Sequence, residues 1–413
     1  MTAGAALALT EARDLRTGTV PWREKDWLPP ATGELPSRDV DIAILGGGIM
    51  GAILADRLTA QGRTVAVIDR RAPGTGSTAA STAQLMWAMD VPLTMLAERL
   101  GEREAARRWK RVFAALERFG KHLDSIGGDL KQDSPTLYLA GDLLGPEALQ
   151  AEAALHCRHG LPSRFLSADE MAERYAIAPR AGLVSTGTYA IDPVRTCHAL
   201  LDRALGRGAS IAYPVDIAAL HPSARGIELE TEDGRSFMAG NVILATGYER
   251  ARLFLPDAFS LLSTFAIAAP PGTAPLWNEN AMIWEASDPY LYVRASRDGR
   301  IIAGGEDIDV ADKDTRDRLL PGKAGIIAAK LAAMLGKDKI DWERAWAATF
   351  GSSPDGLPAI GRARNMDNLW IAAGFGGNGI AFAALAAEIL DASLREKADQ
   401  DARCFDPYRF END

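Results

Sequence analysis

"VDIAILGGGIMGAILADRL" spans Val40–Leu58. An apolar run ends in three adjacent glycines, and a helical pattern follows at once. Glycine loses more freedom on folding than any other residue, so three of them between two ordered elements need a cause. The cause we read is a phosphate group that must come close to the backbone. Gly46-Gly47-Gly48-Ile49-Met50-Gly51 fits G-x-G-x-x-G. Gly46 permits the tight turn, Gly48 removes a Cβ from the path of a diphosphate, and Gly51 lets the helix pack closely on the strand. The unpaired N–H groups at the helix start, around Ile49 and Met50, would then hold the negative charge with the help of the helix dipole. "TVAVID" (Thr64–Asp69) reads as a second buried strand, which completes a unit of βαβ size. Asp69 stands 18 residues past Gly51, where a carboxylate can accept hydrogen bonds from ribose hydroxyls. Arg70 and Arg71 follow and would suit a phosphate on that ribose, although arginines after a strand are also common on surfaces.

The chain around this unit has 413 residues, enough for two or three domain-sized bodies. Hydrophobic residues make up 47% and charged residues 24%, an ordinary globular balance. The net charge of −9 repels phosphate backbones and argues against a nucleic-acid partner. Cys157, Cys197 and Cys404 are odd in number and widely spread, which suits a reducing compartment rather than a disulfide framework. The first residues lack a basic segment before their short apolar run, so no signal peptide is expected. No stretch approaches the roughly 20 apolar residues of a spanning helix, so no membrane span is expected either and the expected location is cytoplasmic.

Further along, "GTGSTAASTAQLMWAMD" (Gly74–Asp90) starts as a turn and is expected to become helical. "PLTMLAERLGEREAARRWKRVFAALERFGKHL" (Pro92–Leu123) is a long amphipathic stretch with a solvated face. "SPTLYLAG" and "GLVSTGTYAI" read as strands, and Asp192-Pro193 as the start of a helix. Asp233-Gly234 signals a hairpin, and "NVILATG" (Asn241–Gly247) another buried strand. "LLSTFAIAAP", "AMIWEASDPYLYVRASRDGRIIAGGED" and "DWERAWAATFG" are aromatic-rich strand patterns that suggest a separate antiparallel sheet. The chain then offers "NLWIAAGFGGNGIAFAALAAEILDASL": a strand, a glycine cluster and an apolar helix. His156-Cys157-x-His159 has no partners at zinc spacing, so no metal site is expected, and His198 reads as structural.

Four of these stretches, in order, resemble the D-amino-acid oxidase, glycine oxidase and sarcosine oxidase superfamily of FAD-dependent oxidoreductases. They are the glycine loop, "GSTAAST" (Gly76–Thr82), "NVILATG", and "GSSPDGLPAIG" (Gly351–Gly361) with "GFGGNGI" (Gly374–Ile380). The resemblance implies an α/β fold with an α+β substrate part: a Rossmann-like FAD-binding domain plus an antiparallel-sheet substrate domain. It implies an N-terminal arm (1–38), then FAD-domain segments at 39–90, 182–250 and 349–400. A mainly helical substrate segment (91–181), a substrate domain (251–348) and a C-terminal tail (401–413) complete the order. Ser77, Thr78, Ser81 and Thr82 would line the cofactor, with Thr78 near its pyrophosphate. The backbone of Val215 would meet the adenine, and Ala245 and Gly247 would close the strand end. Gly376, Gly377, Asn378, Gly379 and Ile380 would cup the flavin ring. Small residues there leave room for a flat ring, and a positive helix end suits the electron-rich side of a reduced flavin.

The resemblance also sets expectations by departure. Members with covalent flavin carry Cys seven residues before the aspartate of the "PD" pair; here that position is Ala348, so FAD is expected to be non-covalent. Glycine-oxidase-like members carry a carboxylate-binding Arg five residues before it; here that position is Phe350. In "PYLYVR", Tyr290, Tyr292 and Arg294 share one strand face and are the expected catalytic and substrate-binding group, with Arg294 replacing the missing clamp. Gln84, Trp87 and Trp284 are further pocket candidates. The lysine that aids oxygen reduction in sarcosine-oxidase-like members aligns with Ile302, which leans toward a dehydrogenase. The expected reaction is oxidation of a C–N bond in an amine or amino acid, with oxygen or a quinone-type carrier as electron acceptor. Two alternatives stand beside it: a flavin-dependent dehydrogenase of a 2-hydroxy acid or glycerol phosphate, and a flavoprotein relay subunit of a larger complex.

Overall fold

The computed structural model describes residues 7–8, 14–22, 34–249, 254–374 and 376–411. Much of the expected N-terminal arm therefore lies outside the described residues.

Five parallel strands form the centre of one sheet. In spatial order they are Ser210–Ala212, Val65–Ile68, Val40–Leu45, Ser236–Leu244 and Leu369–Ala373. Their sequences read as continuous apolar runs because both faces are covered: all four residues of Val65–Ile68 are buried, as are all five of Leu369–Ala373. Ile49–Ala60, Pro193–Gly206 and Gly379–Leu394 are the principal helices against it. Pro193–Gly206 starts where the sequence implies, with Asp192 Oδ1 accepting from the amides of Val194 and Arg195. Gly379–Leu394 is buried nearly all round and packs on both Ile49–Ala60 and the long helix Glu102–Ile126. The hairpin Gly226–Thr231/Ser236–Leu244 forms as expected across Asp233-Gly234.

Asp56 ties this layer together. It is 2% exposed and takes Arg203 at 3.0 Å, Arg207 at 2.7 Å and His122 at 2.6 Å. Burial alone would raise its carboxyl, but these three partners outweigh it and hold the group below the usual range.

Among the described residues the second sheet has nine strands. Arg344–Ser352, Ser260–Ala268, Ile301–Ile308, Leu291–Ala295 and Met282–Glu285 run antiparallel in that spatial order. Thr136–Leu139 then pairs parallel to Met282–Glu285, and Gly182–Ser185 and Ser163–Leu166 continue antiparallel. Gln84–Leu85, Tyr189–Ile191 and Lys131–Asp133 pair in that order as a separate small antiparallel sheet.

Several expectations change here. Gly74–Asp90 does not become a long helix: only Ser77–Ala80 is helical, and Gln84–Leu85 is a strand. Ala83, with φ +55°, breaks the run, a conformation that no continuing helix adopts. Gly182–Ser185 pairs in the second sheet, so the FAD-domain boundary expected at 182 falls too early. The boundary expected at 349 cuts the continuous strand Arg344–Ser352. Arg16–Gly18, assigned to the arm, is an edge strand on Arg344–Ser352. Among the described residues no helix is long and apolar enough to cross a membrane.

Candidate functional site

At the carboxyl ends of the parallel strands the chain turns tightly. Gly46 has φ +114°, and a Cβ on it would meet the Ala245 carbonyl oxygen at 2.3 Å. A Cβ on Gly51 would lie 1.9 Å from the Gly46 carbonyl oxygen, so only glycine lets this helix start so close to the turn. Gly51 is therefore a packing residue and, unlike Gly46, Gly48, Ile49 and Met50, does not line the cavity that opens here.

The Asp69 carboxylate closes the turn from the next strand. Its Oδ2 accepts from the Gly47 amide at 2.7 Å and its Oδ1 from the Arg71 amide at 2.8 Å. Burial raises its pKa more than those two donors lower it. Val215 hangs on the same corner, its amide donating to the Asp69 carbonyl at 2.9 Å. Arg70 and Arg71 both reach Glu249, which is 4% exposed and which the sequence reading did not single out. Their charge is thus committed to a carboxylate, which weighs against a phosphate on the ribose.

Ser77, Thr78, Ser81 and Thr82 line the next part of the same cavity. Thr78 Oγ1 accepts from the Ile49 amide at 2.9 Å, so its hydroxyl sits at the start of the Ile49–Ala60 helix. The loop that carries these residues is fixed by its carbonyls. Arg16 donates to Thr75 at 2.8 Å, Trp346 to Ala80 at 2.9 Å and Trp22 to Ser81 at 3.1 Å. Arg294 donates from Nη1 to Ala83 and to Ile191, each at 2.8 Å.

The cavity continues past Ala245 and Gly247 to the second glycine cluster, lined by Gly376, Gly377, Asn378, Gly379 and Ile380. Gly376 has φ +100°, and its amide donates to the Gly351 carbonyl at 2.8 Å. Asn378 Nδ2 donates to the Ala88 carbonyl at 2.6 Å, and no side chain caps the helix that begins at Gly379. Asp90 Oδ2 accepts from the Gly377 amide at 2.7 Å. Asp90 lines the cavity, and burial raises its pKa against that one backbone donor.

Tyr290, Tyr292, Trp284, Gln84, Thr264 and Phe350 form the remaining wall. Gly304 lies opposite Tyr292 in register, and a Cβ there would stand 2.4 Å from the phenol oxygen; the glycine makes the space the ring occupies. The rings of Tyr290 and Tyr292 are 5.7 Å apart, and Trp284 stacks on Tyr138 at 3.8 Å. Burial pushes both phenols up, so they are neutral donors at pH 7. Asp307 lies beside Tyr290 and Thr264. Burial pushes its carboxyl up to about 6; Thr264 and Tyr290 pull it back and Asp90 adds repulsion.

Two expected pocket residues are elsewhere. Arg294 is 3% exposed and does not reach the cavity. It shares the face of Tyr290 and Tyr292, but the cavity ends before it, where Ala83 and Ile191 close over the strand. Its guanidinium lies over Trp22 at 5.2 Å, and burial pulls its pKa to about 10, so it stays charged at pH 7. Trp87 is fully buried, donates to the Thr186 carbonyl at 2.8 Å and packs edge-on to Trp109 and Phe113. Gln84 and Met86 line the cavity, whereas Leu85 and Trp87 are fully buried away from it.

Residues 41–392 match the family described as FAD dependent oxidoreductase (DAO). The chain belongs to that family. Among curated relatives of this FAD-dependent oxidoreductase, a glycine oxidase from Bacillus licheniformis is 24% identical over 365 residues, covering 85% of this chain and 91% of that protein. Among solved structures, L-proline dehydrogenase from P. horikoshii superposes with a TM-score of 0.75 at 21% identity, covering 92% of this chain and 99% of that one. Glycine oxidase from Geobacillus kaustophilus gives 0.72 at 20% identity, covering 91% and 98%. These likenesses establish the shared α/β fold.

The residues present fit FAD, the cofactor of the family. Two glycine-rich helix starts line one continuous cavity; a Cβ at Gly46 would meet the Ala245 carbonyl oxygen at 2.3 Å and one at Gly377 the Asp90 carboxylate at 2.9 Å. Gly46–Met50 and Thr78 would hold the diphosphate, Asp69 and Val215 the adenosine end, and Gly376–Ile380 the ring.

Proposed function

We propose that this oxidoreductase oxidises a C–N bond of an amine or amino acid, and that water then hydrolyses the resulting imine. FAD, when bound, supplies the hydride acceptor at flavin N5. The reading is carried by one observation: a single cavity is lined by the Gly46 turn, by the Asn378 helix start and by Tyr290, Tyr292 and Trp284 from the other sheet. Hydride transfer needs a substrate C–H held over a ring far more than it needs acid–base power, and a rigid wall supplies that placement. Tyr292 is fixed by the Gly304 gap, and Trp284 by its stack on Tyr138. Neutral phenols can orient a polar substrate group without adding charge.

The names of the glycine oxidase and L-proline dehydrogenase relatives support an amine-type substrate. A dehydrogenase is favoured over an oxidase, with a quinone-type carrier as acceptor, because no lysine lines the cavity among the described residues. Ile302, the position aligned with such a lysine, is fully buried beneath the sheet. The deciding experiment is anaerobic titration of the yellow protein with amines, amino acids and hydroxy acids. Bleaching by amines or amino acids supports the reading, and bleaching by hydroxy acids alone overturns it. Reoxidation rates with oxygen and with a soluble quinone then assign the acceptor.

A further inference from the structure

The charges along the cavity are unevenly placed. Among the described residues, the cationic side chains that line it are Arg70 and Arg71, at the Asp69 end, and both are bonded to Glu249. At the Asn378 end the charged lining group is Asp90. Its Oδ2 takes the Gly377 amide, and its Oδ1 has no protein donor among the described residues. Gln84 lines the same cavity, and both its amide atoms are buried without a hydrogen-bond partner among the described residues. Asp307 stands behind Tyr290, close enough to feel the charge of Asp90, and its Oδ1 is also buried and unpartnered. Arg294, the one cation the sequence offers on this face, is spent on Ala83 and Ile191. Phe350 contributes an apolar ring.

Buried polar atoms without partners are rare in native proteins and point to a missing ligand contact. Here they are the two amide atoms of Gln84, which can accept or donate, and they lie in the same cavity as an Asp90 carboxylate oxygen bonded to no described donor. A carboxylate group brought to this end would meet Asp90 and no described cation. An ammonium group would meet an acceptor at Asp90 and another at Gln84 Oε1, and it would offset the repulsion between Asp90 and Asp307.

We propose that the substrate is a cationic amine whose reacting carbon bears no carboxylate, and that Asp90 and Gln84 bind its ammonium group. The proposal rests on the C–N oxidation argued above and narrows it from amines and amino acids to amines. Asp90 and Gln84 are specificity residues here; one N–H proton of the bound ammonium passes to water before the hydride leaves the neighbouring C–H, and the product is the protonated imine that water then hydrolyses.

The test uses the FAD-loaded protein and two probes of matched shape that have no C–H next to the charged group and so cannot be oxidised, tert-butylammonium and pivalate, titrated against the visible flavin spectrum. The expected result is that tert-butylammonium binds at least tenfold more tightly than pivalate. Asp90→Asn should then weaken tert-butylammonium at least tenfold and leave pivalate unchanged or tighter. Pivalate binding as tightly as tert-butylammonium overturns the proposal. If Asp90→Asn fails to retain FAD, the wild-type comparison decides alone. A second arm separates the two readings through anaerobic bleaching by matched pairs, putrescine with ornithine and benzylamine with phenylglycine. Faster bleaching by the decarboxylated partner supports the proposal. Equal or faster bleaching by the amino acid overturns it while leaving C–N oxidation standing, and bleaching by hydroxy acids alone removes the underlying reaction instead.

Discussion

Arg294 and Ala83 lie 211 positions apart and are joined by a 2.8 Å hydrogen bond from the guanidinium to the carbonyl. Ala83 is the left-handed residue that turns the cofactor-side loop back into the Gln84–Leu85 strand. A buried cation thus sets the course of backbone that lines the cavity without entering it. Hydrogen bonds from a charged donor contribute about 1.5–3 kcal/mol each, and loss of the donor leaves the Ala83 carbonyl with only its longer bond, from the Ile191 amide at 3.3 Å.

Arg294→Met should therefore act on the cofactor. We expect at least a tenfold rise in the FAD dissociation constant and a lower melting temperature. At saturating FAD, KM should change less than threefold. Equilibrium dialysis and steady-state kinetics separate the two, and a change confined to KM would return Arg294 to the substrate site.

The glycines of the first turn should differ in kind. A Cβ at Gly51 collides with backbone at 1.9 Å, whereas one at Gly48 meets the Thr78 hydroxyl at 3.0 Å, which can move. Gly51→Ala should cost several kcal/mol of stability, in the range of overpacked cores. Gly48→Ala should leave the unfolding free energy of FAD-free protein within about 0.5 kcal/mol of wild type. It should nevertheless weaken FAD at least tenfold. Urea unfolding and flavin titration of both variants check the order.

FAD should be held without a covalent bond. Ala348 occupies the wall where a linking cysteine would stand, and Cys157, Cys197 and Cys404 do not line the cavity. Acid or heat precipitation should leave all the yellow colour in the supernatant. A coloured pellet after washing in denaturant would show a linkage.

Asp307 predicts a pH dependence. Its folded pKa is raised to about 6 by burial, so the folded state holds this proton more tightly than the unfolded state does. Its contribution is fully present below about 3.8 and is lost as pH rises through about 6. Asp69 and Asp90 are shifted in the same direction, so the variant comparison isolates one group. Between pH 5 and 7.5 the wild type should lose about 1–2 kcal/mol more stability than Asp307→Asn. Equal losses from chemical denaturation would remove the group from the account.

The dinucleotide unit was legible because its demands are written into residue identity. Gly46 and Gly51 tolerate no side chain, and Val65–Ile68 shows both faces buried. Asp192-Pro193 likewise announced its helix. Pro321-Gly322 interrupts the pattern of the helix Lys313–Met334 and hides it in the sequence, although Asp312 caps it through the Thr315 amide at 2.8 Å. Alternation tells which face Arg294 takes and not where along the strand a cavity stops. Asp90 gave only the signal of a lone acid closing the apolar run Leu85–Met89. Its meaning comes from Gly377, 287 positions away. Glu249 and Asp307 acquire theirs in the same way, from neighbours that local pattern does not connect.

The parallel strands also fix when the protein can first load its cofactor. Val40–Leu45 pairs with Ser236–Leu244, and that strand pairs with Leu369–Ala373. A nascent chain arrested near residue 350 would display the first glycine turn but lack the strand and helix start that complete the pocket. Flavin capture is therefore a late event in biosynthesis, and amino-terminal fragments should leave the ribosome colourless.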